Sequence, residues 1–412
     1  MMTEIDESTF GSGRYLVLAG CFLGLAAGYS STYFYSSGLF LLPVAETFGV
    51  SRGEASLGPL ICTLAAAGMI PLFGRLLDRI GAVPIALLSL IGLAAGFTAM
   101  AGFANGFGSY LFCSFLIAVL GTGSTALPYS RLVVLTFARR RGMALGVMLT
   151  GTGVGAMTVP LVVIPAIRAY GWRATYGGMA VAVLAAAIVV AVLILPMAAK
   201  LGGAARQRLA AADLPNGRRP SPLAVWTSTR FLLIGGTFFC LATSIISVVF
   251  HFVPMLTDAG VPPGRAAAMA AAIGFSSIAG RLVIGFLLDW IAAEALTLML
   301  LGVALAAVLM LASGDATLAL PGGMMLGLVV GAEMDMLAFF TARFFGTEVY
   351  GTAYGGLFSL FLIGGAIGPS LTGYLYDFAH SYQVALLFSM ALLAAAAVLM
   401  AMLWRFNRRA TA

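Results

Sequence analysis

An all-α membrane protein with twelve transmembrane helices in two six-helix bundles is the architecture that three features of this chain predict. Hydrophobic residues make up 61% of its 412 positions and charged residues only 9%, with a mean hydropathy of +1.04. No water-soluble core of this size encloses so much apolar surface. Apolar runs of about 20 residues, enough to cross the hydrocarbon layer, recur between clusters of Gly, Pro and charge. They also fall six and six around one long polar segment.

The first six spans lie near 15–42, 54–74, 82–103, 108–136, 142–168 and 173–198, and the second six near 230–257, 265–288, 293–312, 317–343, 349–376 and 381–405. Between them, LGGAARQRLAAADLPNGRRPSP has the Pro, Gly and charge content of a linker rather than a packed domain. The expected division is therefore an N-terminal bundle over 1–199, a cytoplasmic linker over 200–229 and a C-terminal bundle over 230–412. With the N-terminus inside, the inner loops and tails hold nearly all the Lys and Arg of the loops, and the outer loops only Arg52, Arg168, Arg173 and Arg265. That asymmetry places both termini in the cytoplasm, in an integral multi-pass protein of the plasma (inner) membrane. It also accounts for the net charge of +7 without nucleic acid as a partner. The opening MMTEIDESTFGSGRY lacks a basic n-region and a small-residue cleavage site, so the first span is expected to stay in the mature protein. Cys21, Cys62, Cys113 and Cys240 lie inside apolar runs, without zinc or disulfide spacing. No metal or other cofactor is expected.

The halves repeat one another. GRLLDRIGA from Gly74 and GFLLDWIAA from Gly285 share a Gly-x-Leu-Leu-Asp frame after the second and eighth spans. FARRRGMALGVMLTGTGVGAMTVP from Phe137 parallels FFGTEVYGTAYGGLFSLFLIGGAIGP from Phe344, ending at Pro160 and Pro369. Parallel repeats of six spans are one transporter architecture, with substrate held near the midplane between halves that rock. The glycine runs are not nucleotide loops, because no strand precedes them and no lysine follows at phosphate-binding spacing. In a bilayer such residues let helices approach closely.

With Gly74, Asp78, Arg79 and Gly81, the basic loop Arg139 to Arg141 and the paired glycine-rich helices, the chain resembles the major facilitator superfamily over essentially its whole length. More narrowly, YGWRATY from Tyr170, the Arg281 helix followed by Gly285 and Asp289, and GGAIGPSLTGYLYD from Gly364 look like the monocarboxylate porters and their oxalate/formate exchanger relatives. This resemblance implies a proton-linked carrier of monocarboxylates, monomeric, whose eighth-span arginine binds the carboxylate. Two departures bear on that. The first-span lysine of animal monocarboxylate carriers has no counterpart in GYSSTYFYSSGLFLLP, and the eleventh-span cation used in oxalate exchange has none in GTAYGGLFSLFLIGGAIGP. A single carboxylate therefore suits this chain better than a dicarboxylate, and the proton site does not carry over.

Arg281 stands inside AAIGFSSIAGRLVIGFLLD, Ala271 to Asp289. An ionised side chain at bilayer depth costs roughly 3 to 10 kcal/mol or more, so such charges mark substrate or ion paths. At 1.5 Å per residue it lies about 12 Å from the inner helix end, near the midplane. A guanidinium stays charged and offers a planar fork to a carboxylate. In the tenth span, Glu333 and Asp335 are two residues apart and should point in different directions. Arg131, in the fourth span, is the expected partner of one of them, as a gate between the halves or a static pair, and either acid is a candidate for the coupling proton. His251 is a further candidate for coupling, as the residue type most used to carry protons, although its place before Pro254 also suits a structural role. Tyr29, Tyr33 and Tyr35, with Tyr129, fall on spans expected to line a central path, and Tyr29 and Tyr33 share a face at i, i+4. Gly74, Asp78, Arg79 and Asp289 form the conformational loop motif, which caps helices and ties the halves in one state.

These observations point to secondary active uptake of a small organic anion, most simply a monocarboxylate, with a proton. The alternatives are drug or metabolite efflux by the same fold, or anion exchange. Enzymatic activity is not expected, since nothing supplies a nucleophile with a base or a metal cluster.

Overall fold

Within hydrocarbon a helix satisfies its own backbone hydrogen bonds, and every described element is helical. The computed structural model describes residues 12–34, 36–137, 140–211 and 220–411. Tyr35, Arg139 and the linker stretch 212–219 lie outside the described residues. In chain order the first elements are α1 (Gly13–Ala26), α2 (Leu41–Phe48), α3 (Arg52–Ala55), α4 (Leu57–Ile80), α5 (Ala82–Phe103), α6 (Phe107–Gly121), α7 (Ala126–Thr136) and α8 (Arg141–Ala211). Then follow α9 (Pro222–Trp226), α10 (Thr229–Phe250), α11 (Phe252–Asp258), α12 (Pro263–Leu287), α13 (Ala293–Ala312), α14 (Ala316–Phe345), α15 (Tyr350–Ala379) and α16 (Gln383–Thr411).

Among the described residues, eleven helices are long and apolar enough to cross a membrane, not the twelve expected. The difference lies in α8, a run of 71 residues that covers both the fifth and the sixth expected spans. It leaves helical geometry at Gly171, with φ 79° and ψ 165°, a conformation open to glycine. The arm before that break, residues 141–170, is about 45 Å long at 1.5 Å per residue. Each arm is thus long enough to cross by itself.

Three other spans are broken where the sequence suggested continuous helix. After α1 the chain passes through a π turn at Ser30–Phe34 and a 3-10 turn at Ser37–Phe40. Hydroxyls add to the backbone bonds there: Ser31 Oγ donates to Leu25 O at 2.6 Å beside Gly28 N at 3.2 Å, and Thr32 Oγ1 to Gly28 O at 2.9 Å beside Thr32 N at 3.0 Å. A second break, the 3-10 turn Thr122–Ser124, separates α6 from α7. The two breaks meet, with Tyr29 N donating to Ser124 Oγ at 3.0 Å. The third break is at His251, between α10 and α11.

The chain forms two compact units, Met1–Pro220 with Phe345–Gly355, and Ser221–Phe344 with Gly356–Ala412. In the first, α8 packs on α1 and α5, and α6 on α4 and α5. In the second, α16 packs on α10 and α13. The glycine-rich helices make the same kind of approach in each. A Cβ at Gly151 would stand 2.3 Å from Phe22 O of α1, and one at Gly368 2.3 Å from Thr243 O of α10. These helices touch backbone to backbone, the use of small residues anticipated for a bilayer. Gly151→Ala and Gly368→Ala should each lower the thermal unfolding midpoint in detergent, at an overpacking cost of about 1–3 kcal/mol. Gly178→Ala, in α8 with nothing within 4 Å of the added carbon, should leave the midpoint unchanged or raise it.

Candidate substrate and coupling site

Arg281 lies in α12, only 8% exposed. What surrounds it follows from the way α14 lies against α12. A Cβ at Gly331 would sit 2.0 Å from Ser277 O and 3.1 Å from Arg281 N, one at Gly327 2.3 Å from Ile273 O, and one at Gly280 2.5 Å from Leu328 O. Contact this close delivers the next turn of α14 to Arg281. The guanidinium acts electrostatically on both Glu333 and Asp335, which are buried at 5% and 0% exposure. Both carboxylate oxygens of Asp335 and Oε2 of Glu333 are buried without a hydrogen-bond partner.

Arg131 is engaged within the first unit. Its guanidinium donates to Asp78 Oδ1 at 3.2 Å, to Leu77 O at 2.7 Å and to Thr347 O at 3.0 Å. Asp78 in turn caps α15, accepting from Gly351 N at 2.8 Å, Thr352 N at 2.7 Å and Thr352 Oγ1 at 2.8 Å. Carboxylates are favoured at a helix N-terminus, where free N–H groups and the dipole converge. Gly74 permits the arrangement, since a Cβ there would meet Gly351 O at 2.0 Å. Of the other loop-motif residues, Arg79 is exposed and Asp289 half-buried just beyond α12.

The tyrosines lie within the first unit. The rings of Tyr29 and Tyr33 stack at 5.8 Å, and both are buried. Tyr29 Oη lies 3.4 Å from Cys62 Sγ. Tyr129 is fully buried in α7, its hydroxyl without a partner and its ring end against Gly24 of α1. His251 is half-buried, with Nδ1 3.2 Å from Ser247 O and its ring 5.7 Å from Tyr382. One group was missed from the sequence. Glu294, 2% exposed at the start of α13, accepts from Arg343 at 3.1 Å and from Asn407 at 3.2 Å. A lone acid opening an apolar span was its only signal.

The Asp78–Arg131 geometry generates a test. Breaking a buried pair by removing one partner costs about 3–5 kcal/mol, so Asp78→Asn and Arg131→Gln should each lower thermal stability strongly and be far from additive together.

Residues 18–357 match the model of the Major Facilitator Superfamily. Monocarboxylate transporter 4 of Rattus norvegicus is 26% identical over 291 residues, 67% of this chain and 58% of that protein. The Fujikurins efflux protein of Gibberella fujikuroi is 24% identical over 220 residues, 53% of this chain and 44% of its own. The chain thus spans about half the length of these curated relatives. Among solved structures, the proton:xylose symporter XylE superposes with a TM-score of 0.75 at 14% identity, covering 96% of each chain. The transporter FucP superposes at 0.70 and 15% identity, covering 96% of this chain and 99% of that one. A family match over this much of the chain and a common fold lead to one conclusion: this multi-pass membrane protein belongs to the Major Facilitator Superfamily.

Proposed function

We propose that this carrier moves a small monocarboxylate together with a proton, and that Arg281 is the counter-charge for the carboxylate. The observation that supports this most directly is a guanidinium, permanently charged, buried in α12 at 8% exposure. Fixed charge at that depth is retained where an opposite charge comes to meet it. Its planar fork suits a carboxylate. Glu333 and Asp335, within its field, are the proton-binding candidates. His251 is the weaker one, since Ser247 O already engages its ring. Tyr29, Tyr33 and Tyr129 are assigned to the apolar part of the substrate, and Asp78 with Arg131 to the control of conformation. In this reading α8 supplies two spans, making twelve in two sets of six, with both termini in the cytoplasm and the carrier a monomer of the plasma (inner) membrane. The similarity to Monocarboxylate transporter 4 agrees with the substrate class.

A thermal-shift panel of monocarboxylates, dicarboxylates and cationic drugs tests the substrate class, because a ligand at a hundredfold excess over its Kd stabilises by about 2.7 kcal/mol. Stabilisation by a monocarboxylate, abolished in Arg281→Gln and weakened in Arg281→Lys, is expected. Stabilisation by cationic drugs alone would turn the reading to efflux. In vesicles, an inward proton gradient should accelerate uptake of the stabilising acid and a protonophore should remove the acceleration.

A further inference from the structure

Charge balance around Arg281 carries the proposed function one step further. Two carboxyl groups, Glu333 and Asp335, are buried just past the point where α14 meets the backbone of α12 at Arg281. The helices packed against α14 are α10, α11, α12 and α13, through the Phe238–Phe340 ring contact, Phe252 at Gly323, the α12 glycine contacts and Thr297 at Met336. On these, Arg281 is the charged group that bears on the pair. Among the described residues, no hydrogen bond or ion pair joins Arg230, Cys240, Asp258, Arg265, Glu294 or Arg343 to either acid. With both acids ionised the site would hold one uncompensated negative charge. Three of the four carboxyl oxygens are also buried without a hydrogen bond. A buried carboxylate lacking both a counter-ion and donors is among the costliest groups a protein can hold, and two like-charged acids in one site titrate as a pair rather than singly.

We propose that Glu333 and Asp335 share one proton in the empty carrier, and that a second proton enters with the substrate carboxylate when that carboxylate takes over Arg281. The exchange balances. The empty site holds Arg⁺, one carboxylate and one carboxylic acid, and is neutral. Adding a substrate anion and a proton leaves Arg⁺, the substrate carboxylate and two carboxylic acids, again neutral. Each anion then travels with one proton and no net charge. A dicarboxylate would leave a buried charge unmatched. This proposal rests on the monocarboxylate reading for its second proton but not for the shared one.

Infrared spectra of the purified carrier at neutral pH count the protonated carboxyl groups, taken as differences from the Glu333→Gln/Asp335→Asn double variant. The empty carrier should show one, falling to none in Asp335→Asn and in Glu333→Gln, and rising to two in Arg281→Gln. A count of none or two in the unsubstituted carrier would overturn the shared proton, as would a band that survives both single substitutions. The three single variants act independently, so one that fails to fold leaves the others to decide. Pyruvate, L-lactate and benzoate are then added as probes. A probe that binds should raise the count from one to two, and binding with the count still at one would overturn the second proton. Failure of all three to bind would overturn the second-proton step and the substrate reading beneath it, while the empty-carrier spectrum still decides the first.

Discussion

The burial of Arg281 and of two acids of α14 close to the α12–α14 contact is the constraint on which the proposed function of the second unit depends. A permanent cation at 8% exposure and two carboxyl groups at 5% and 0% would each be prohibitive alone. Together they form a site whose net charge is set by how many protons the acids hold. A carrier needs that kind of site: one whose electrostatic balance differs between empty and loaded states, so that binding energy is available to bias a conformational equilibrium. The backbone contact of α12 with α14 at Gly280, Gly327 and Gly331 holds the three groups together.

The first unit uses charge differently. Asp78 is fully engaged, with Arg131 on one side and the first turn of α15 on the other. Neither carboxylate oxygen of Asp78 is left without a donor, whereas Asp335 has none at all. A satisfied buried pair stabilises the arrangement that forms it and strongly penalises losing either partner. An unsatisfied acid beside a cation is suited to exchanging protons. We propose that the two clusters divide the tasks of holding a conformation and moving charge, whereas the sequence offered Arg131 as the partner of Glu333 or Asp335.

Much of the fold was legible because the bilayer sets a length scale. Span positions, the two-fold repeat and the role of the glycine runs followed from apolar length and from Gly and Pro placement. Arg281, Glu333 and Asp335 stood out because charge within a span is costly. Their pairing did not. A helix that is apolar all round carries no amphipathic stripe to say which face meets which neighbour, so Arg131 was assigned to the tenth span when its partners lie 53 residues back and 216 ahead. The Gly327-x-x-x-Gly331 spacing in α14 could have revealed the true neighbour, since small residues four apart mark a close helix contact. The breaks at Ser30–Phe34 and Thr122–Ser124 escaped notice because the residues whose hydroxyls bond the backbone there are Ser and Thr, which are common enough in spans to give no warning. The two arms of α8 separate cleanly only at the positive φ of Gly171.

The central claim is that Arg281 is there for the negative charge of the substrate. Calorimetric titration of the purified carrier with benzoate and with benzamide, which shares its shape and lacks its charge, tests this most directly. The account predicts heat of binding for benzoate, none for benzamide, and none for either in Arg281→Gln. Equal binding of the two by the unsubstituted carrier, or benzoate binding undiminished by that substitution, would contradict it.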